Sequence, residues 1–291
     1  MGVPDSMASY AAGQDLAPAA LRSAGLLEQL TASGLDVHDD GDLPHQAWSP
    51  DRDHPLAQNA GQVTTSVQQL ADRLYPLLAR SDDIALVLGG NCTIALGIAA
   101  ALWRLNAGAP GLLYIDRHYD INTPESTTDG ALDWMGLAHA LALPGCLDIL
   151  ADAFGRRPLL EADPAAAALA AVSRLPAGPL ALHLDVDVLD FTDAPLAENT
   201  DGRNTGPTLD QVTEALTAAA RDLRMRVLSI GELNPTRCAG DHDALPRFVT
   251  SIARILTANL LRVIRFIVGL MLSSNLESTS KAFTKLMFQE T

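Results

Sequence analysis

Two short runs carry most of the chemistry open to this chain. Asp116, His118 and Asp120 alternate along one stretch, and Asp185 and Asp187 along another. In an extended segment residues two apart point the same way, so each run can aim its side chains at one point. Four carboxylates and an imidazole brought together repel one another strongly unless cations hold them. Oxygen-dominated ligation with an imidazole suits Mn²⁺ or Mg²⁺ better than the thiol-rich sites of structural zinc. One Asp-x-Asp run is as well explained by capping of a following helix. Two such runs, one with an interleaved histidine, point to a metal site.

These residues need strands to present them. Short apolar runs at Ile84 to Leu88, Leu112 to Ile115, Leu180 to Val186 and Val227 to Ile230 alternate with helical patterns. The helical stretches are Ala19 to Ser33, Val63 to Ala79, Thr93 to Arg104, Gly136 to Leu141, Leu209 to Arg221 and Arg247 to Leu260, with apolar residues at three- and four-residue spacing. Asp163-Pro164 starts a further helix at Ala165 to Val172. Strand alternating with helix predicts a mainly parallel sheet covered by helices on both faces. Each polar cluster follows a strand: Gly89 to Thr93, Asp116 to Asn122, Asp185 to Asp190 and Gly231 to Pro235. The carboxyl edge of an open α/β sheet is where ligands bind.

Composition excludes several classes. The 291 residues hold 35 Asp plus Glu against 20 Lys plus Arg, a net charge of −15. A nucleic-acid binder needs clustered Lys and Arg to neutralise phosphates, so a small cationic substrate suits this chain better. Cys92, Cys146 and Cys238 form neither a paired framework nor a metal knuckle, which favours a reducing, cytoplasmic setting. The most apolar stretch, Ile252 to Leu272, is broken by Arg254, Asn259, Arg262 and Arg265, and a bilayer span needs about 20 apolar residues. The only lysines, Lys281 and Lys285, lie near the end, where Ala282 is the one alanine of the last 31 residues. The expected division is therefore a main domain over 1–260 and an atypical tail over 261–291.

Taken in order, these clusters resemble the ureohydrolase family of arginases and agmatinases. Asp116-Arg117-His118-Tyr119-Asp120-Ile121-Asn122 matches its DAHxDxN motif, Asp185 to Asp190 its DxDxxDP motif, Glu232 to Pro235 its ExNP segment, and Gly89-Gly90-Asn91-Cys92 its GGDH segment. The resemblance covers roughly Met1 to Leu260. It implies a three-layer α/β/α fold with a mainly parallel sheet and a metal-dependent hydrolase of C–N bonds in guanidino compounds. Two Mn²⁺ ions would be bridged by Asp116 and Asp185, with Asp120 completing one site and His118 and Asp187 the other. Glu232 would hold the guanidinium and Asn122 the substrate. A water between two cations loses its proton near neutral pH and becomes the nucleophile, and Asp120 is the residue placed to relay that proton to the leaving nitrogen. A homo-oligomer, trimeric or hexameric, is also implied.

The match departs from the pattern at several points. Cys92 stands where the family has a histidine ligand, and thiolate is a poor donor for Mn²⁺, so a single metal or a different one is expected as an alternative. Asp133 takes the place of the arginase proton-shuttle histidine, and its unperturbed pKa of about 3.9 suits that work only if burial raises it. Asp129-Gly130-Ala131 replaces the Ser-Gly-Asn that recognises the amino-acid end of arginine, so the expected substrate is a guanidino or amidine-type compound other than arginine. Arg117 and Tyr119 replace small residues; facing the site they would repel cations and narrow the pocket, but alternation favours their pointing away. Phe191-Thr192 and Gly206 to Leu209 also differ from the pattern. His183, in phase with Asp185, has supporting the site as one of its readings, and His139 is a packed or solvent-facing residue. The Gly89-Gly90 pair lacks the spacing of a phosphate loop. The rival to an enzyme is a catalytically impaired homologue that binds or scaffolds; a metal-dependent deacetylase is disfavoured by Glu232 to Pro235.

Overall fold

The computed structural model describes residues 1–80, 83–105, 110–150, 175, 177–198 and 206–273, with 260–273 as backbone only. The helix expected at Ala165 to Val172 and the tail with Lys281, Ala282 and Lys285 lie outside them. Four strands, β1 (Ala85–Leu88), β2 (Gly111–Ile115), β3 (Leu180–Asp185) and β4 (Met225–Gly231), form a parallel sheet in the order β1-β4-β3-β2. Parallel pairing brings all four carboxyl ends to one edge, in the register Leu88 beside Ile230, Asp185 beside Gly231 and Ile115 beside Leu184.

The amino-terminal segment extends the sheet beyond β1. Leu88 N–H donates to Met1 O, Val3 N–H to Leu88 O, and Leu43 N–H to Gly2 O on the far side. This lay of the chain explains the glycine pair after β1. A Cβ on Gly90 would fall 1.6 Å from Asp5 O, so the residue is glycine to let two backbones cross rather than to cradle a phosphate.

Helices cover both faces. α1 (Ala17–Ser23), α2 (Leu26–Ala32), α6 (Leu209–Ala220) and α7 (Ala244–Ser273) share one core with Leu180, Leu182, Leu184, Leu228 and Ile230. α3 (Ala60–Arg80) and α4 (Ile94–Leu105) share the other with Val87, Leu112, Ala181 and Val227. Alternate residues of each strand thus feed opposite layers, the three-layer arrangement that the periodicities require. The short α5 (Gly136–Ala140) lies at the site edge.

Two boundaries differ from expectation. The single helix expected at Ala19 to Ser33 is two, because Gly25 adopts φ +85°, a left-handed conformation that ends one helix and lets the next begin. The helix expected to end at Leu260 runs from Ala244 to Ser273, so the expected domain boundary at 260 falls inside it. α6 starts where sequence chemistry places it: Thr208 Oγ1 accepts from Gln211 N–H and Gln211 Oε1 from Thr208 N–H.

Candidate metal centre

The strand ends supply a compact acidic cluster. Asp116 follows β2, Asp185 ends β3 and Glu232 follows β4, while Cys92 sits just before α4 in the loop after β1. Two sets of donor atoms lie within 4.8 Å of one another: Cys92, Asp116 and Asp185, and Asp116, His118 and Asp120. Asp187 is outside both sets but pairs with His118, whose Nδ1 is 3.0 Å from Asp187 Oδ2 and 3.5 Å from Asp116 Oδ1. Backbone amides hold the aspartates: Asp187 N–H donates to Asp185 Oδ1 at 2.7 Å, and His118 N–H to Asp116 Oδ1 at 2.6 Å.

Electrostatics follow from crowding and burial. Burial, then Asp187 and Asp116, push Asp185 well above the usual carboxylate range, and burial, then Asp116, do the same to Asp120. His118 is pushed up to about 10 by its hydrogen bonds with Asp116 and Asp187, so its ring must give up a proton before Nδ1 can ligate a cation. Asp116 Oδ2 is buried and has no hydrogen-bond partner among the described residues. A buried carboxylate oxygen without a donor is costly, and a cation is the group that satisfies it. The donor set therefore fits a divalent metal.

Glu232 lies at the same edge and is held on two sides. Its Oε1 accepts from Cys92 N–H at 2.9 Å and its Oε2 from Gln14 Nε2 at 3.1 Å. Burial raises its pKa to about 8. Both Glu232 and Asp120 have positive φ, 60° and 49°, a conformation that costs a non-glycine residue about 1–3 kcal/mol. Glu232 is kept there by its N–H bond to Gly90 O at 2.7 Å, and Asp120 by Ala138 N–H donating to Asp120 O at 3.0 Å.

Asp133 sits in a 3₁₀ turn, Leu132–Met135, tied down by Leu132 N–H and Asp133 N–H donating to Ala8 O. Burial, then the charges of Glu232 and Asp120, push it well above the usual carboxylate range.

Arg117 and Tyr119 point away as alternation demands. Arg117 donates to the carbonyls of Asp187 and Leu189, and Tyr119 is 73% exposed. Asn122 is engaged elsewhere: its Oδ1 accepts from Ser126 Oγ in the 122–126 turn. His139 is buried in the core. His183 supports the site, with Nε2 3.2 Å from Cys92 Sγ and Nδ1 2.8 Å from Ser229 Oγ. Asn234 of the ExNP segment is structural: it caps the turn Pro235–Gly240 and donates to Glu198, which also pairs with Arg237.

Sequence reasoning missed three residues. Tyr114 donates its hydroxyl to Asp120 Oδ2; two residues before Asp116 on one strand, it could have been found by alternation. Gln14 and Ser9, joined at 2.7 Å, reach the site from the amino-terminal loop, and no local pattern signals contacts that the chain topology creates.

The model of a family described as Arginase family matches residues 1–150. Arginase-1 of Homo sapiens is 36% identical over 132 residues, 45% of this chain and 40% of that protein, so the chain spans about two fifths of that relative's length. Among solved structures, arginase from Bacillus cereus superposes with a TM-score of 0.70 at 23% identity, covering 89% of this chain and 96% of that one. A Trypanosoma cruzi formiminoglutamase, solved with Mn²⁺, does so with a TM-score of 0.59 at 18% identity, covering 88% and 91%. These two likenesses show the three-layer fold.

Proposed function

The chain belongs to the arginase family, and on that premise we propose that it is a metal-assisted hydrolase of C–N bonds in a small guanidino or amidine-type substrate other than arginine, releasing urea or a related product. The observation that carries this reading is the buried strand-end cluster, with Asp116 Oδ2 lacking a donor among the described residues and Glu232 facing the same edge. Asp116, Asp120, Asp185, His118 and Asp187 would hold divalent metal, by family likeness two Mn²⁺ ions, or one because of Cys92. Such a cation supplies an acidified water and positive charge beside the scissile carbon.

The remaining work falls to side chains. Glu232, fixed by Cys92 N–H and Gln14, would pair with the cationic end of the substrate. Asp120, oriented by Tyr114, would take the proton released by the attacking water and deliver it to the leaving nitrogen. Asp133, kept protonatable by burial, would be a second proton carrier. Asn122 would contact the substrate only if the 122–126 turn opens its bond to Ser126. Three free cysteines fit a cytoplasmic setting, and a trimer or hexamer is the proposed assembly. Among the described residues no helix is long and apolar enough to cross a membrane.

The test is an assay of urea, ammonia and amine release from a panel of guanidino and amidine compounds, with Mn²⁺ present. Turnover of at least one compound, lost in Asp185→Asn, is expected. Silence across the panel with metal bound would favour the impaired homologue that binds without turnover.

A further inference from the structure

At the position where the family motif carries an imidazole, this chain builds its surroundings around a sulfur. Cys92 Sγ lies 3.2 Å from Asp185 Oδ2 and 3.2 Å from His183 Nε2. His183 is held in turn: its Nδ1 is 2.8 Å from Ser229 Oγ, and Tyr114 stacks on it with ring centroids 4.7 Å apart. Gly231 makes the space. A Cβ there would lie 3.1 Å from both Cys92 Sγ and His183 Cε1, tighter than ordinary contact. Cys92, Asp116 and Asp185 offer a sulfur and two carboxylate oxygens within 4.8 Å of one another, and Asp116 Oδ2 is buried without a partner among the described residues.

We propose that Cys92, Asp116 and Asp185 form a mixed thiolate and carboxylate site that takes a borderline divalent cation, Zn²⁺ or Co²⁺, in preference to Mn²⁺, with His183 hydrogen-bonded to the sulfur. The proposal rests on the reading of this cluster as the metal centre of a hydrolase. Three protein donors with a position left for water is the ligand count of catalytic zinc. Thiolate is a soft donor that favours zinc, whereas Mn²⁺ favours oxygen. Coordination removes the thiol proton, which leaves to solvent. His183 Nε2 faces the sulfur at 3.2 Å and, in the tautomer that carries its proton there, donates to the thiolate, with Ser229 Oγ–H turning to Nδ1 from Leu182 O, 3.4 Å away. Such outer partners orient a ligand and tune its basicity.

The test uses the full chain and does not read activity. Titration with Co²⁺ is followed by absorbance, where a sulfur-to-cobalt charge-transfer band in the near ultraviolet is expected. The band vanishes in Cys92→Ala and in Cys92→His, which assigns it to Cys92 rather than Cys146 or Cys238. Sites of this kind all rank Zn²⁺ above Mn²⁺, so the informative quantity is the change in their affinity ratio. Cys92→His lowers that ratio by roughly an order of magnitude. His183→Gln keeps the band and weakens Zn²⁺ binding by about 10–100-fold. Co²⁺ binding without the band, or an unchanged ratio in Cys92→His, overturns the proposal and leaves the hydrolase reading standing. Failure to bind any divalent cation overturns both.

Discussion

Replacing Glu232 by Gln keeps shape and removes charge, which makes it a sharp probe of substrate recognition. Both of its oxygens accept hydrogen bonds, from Cys92 N–H and Gln14 Nε2, so the amide must turn its NH₂ towards one of two donors. Loss of one member of a buried charge pair costs about 2–5 kcal/mol. Steady-state kinetics on the best substrate of the panel are expected to show a fall in kcat/KM of that size, with metal content unchanged. Tyr114→Phe probes the other side of the cluster. Its hydroxyl fixes Asp120, and removal of such an outer partner typically lowers metal affinity about 10–100-fold, measurable by calorimetric titration. Most residues of the centre are legible in the sequence because they lie two apart on strand ends. Gln14 and Ser9 are not, since a loop 218 residues from Glu232 in the chain meets it only after the amino terminus lies along β1.

Packing of α3 against α4 sets how firmly the loop carrying Cys92 is held. Gly97 sits at their crossing, where an added Cβ would come within 2.9 Å of Leu70 Cδ2 and 2.9 Å of Val67 O. Alanine gains about 1 kcal/mol in helix propensity over glycine, whereas overpacking a well-filled core costs about 1–3 kcal/mol. The carbonyl cannot swing aside as a leucine methyl can, so the packing cost wins. Gly97→Ala is expected to lower the urea midpoint with an unchanged slope. All four described strands were legible as short apolar runs bounded by polar loops. The break at Gly25 was missed because apolar spacing continues across it, and periodicity does not see a backbone that turns left-handed for one residue. The extent of α7 was misjudged for another reason: the change of composition after Leu260 was taken as a boundary, whereas the helical backbone runs on to Ser273.

For the molecule as a whole, charge and pH separate into parts. The net charge of −15 contains a local cluster at the sheet edge and a solvated remainder, and only the first bears on chemistry. One pH effect on stability arises away from the cluster. His139 donates through Nδ1 to Met135 O and accepts at Nε2 from Leu147 N–H, and burial lowers its pKa. The unfolded chain takes up a proton near pH 6.5 that the folded chain resists, so this contribution to stability is present above about 6.5 and is lost as pH falls below it, by up to ~1.4 kcal/mol per pH unit. Urea unfolding at pH 7.5 and 5.5 is expected to show a shallower pH dependence in His139→Gln than in the wild type. The three-layer fold was readable from strand and helix alternation, whereas this histidine was readable only as packed or solvent-facing.

The claim on which everything else depends is that the strand-end cluster holds a divalent cation. Anomalous diffraction from crystals of the full chain grown with Mn²⁺ or Zn²⁺ measures this directly. A peak is expected among Cys92, Asp116, Asp120 and Asp185, absent in Asp185→Asn crystals. A metal-saturated crystal with no peak at that cluster, or with its ions bound only elsewhere, would contradict the account.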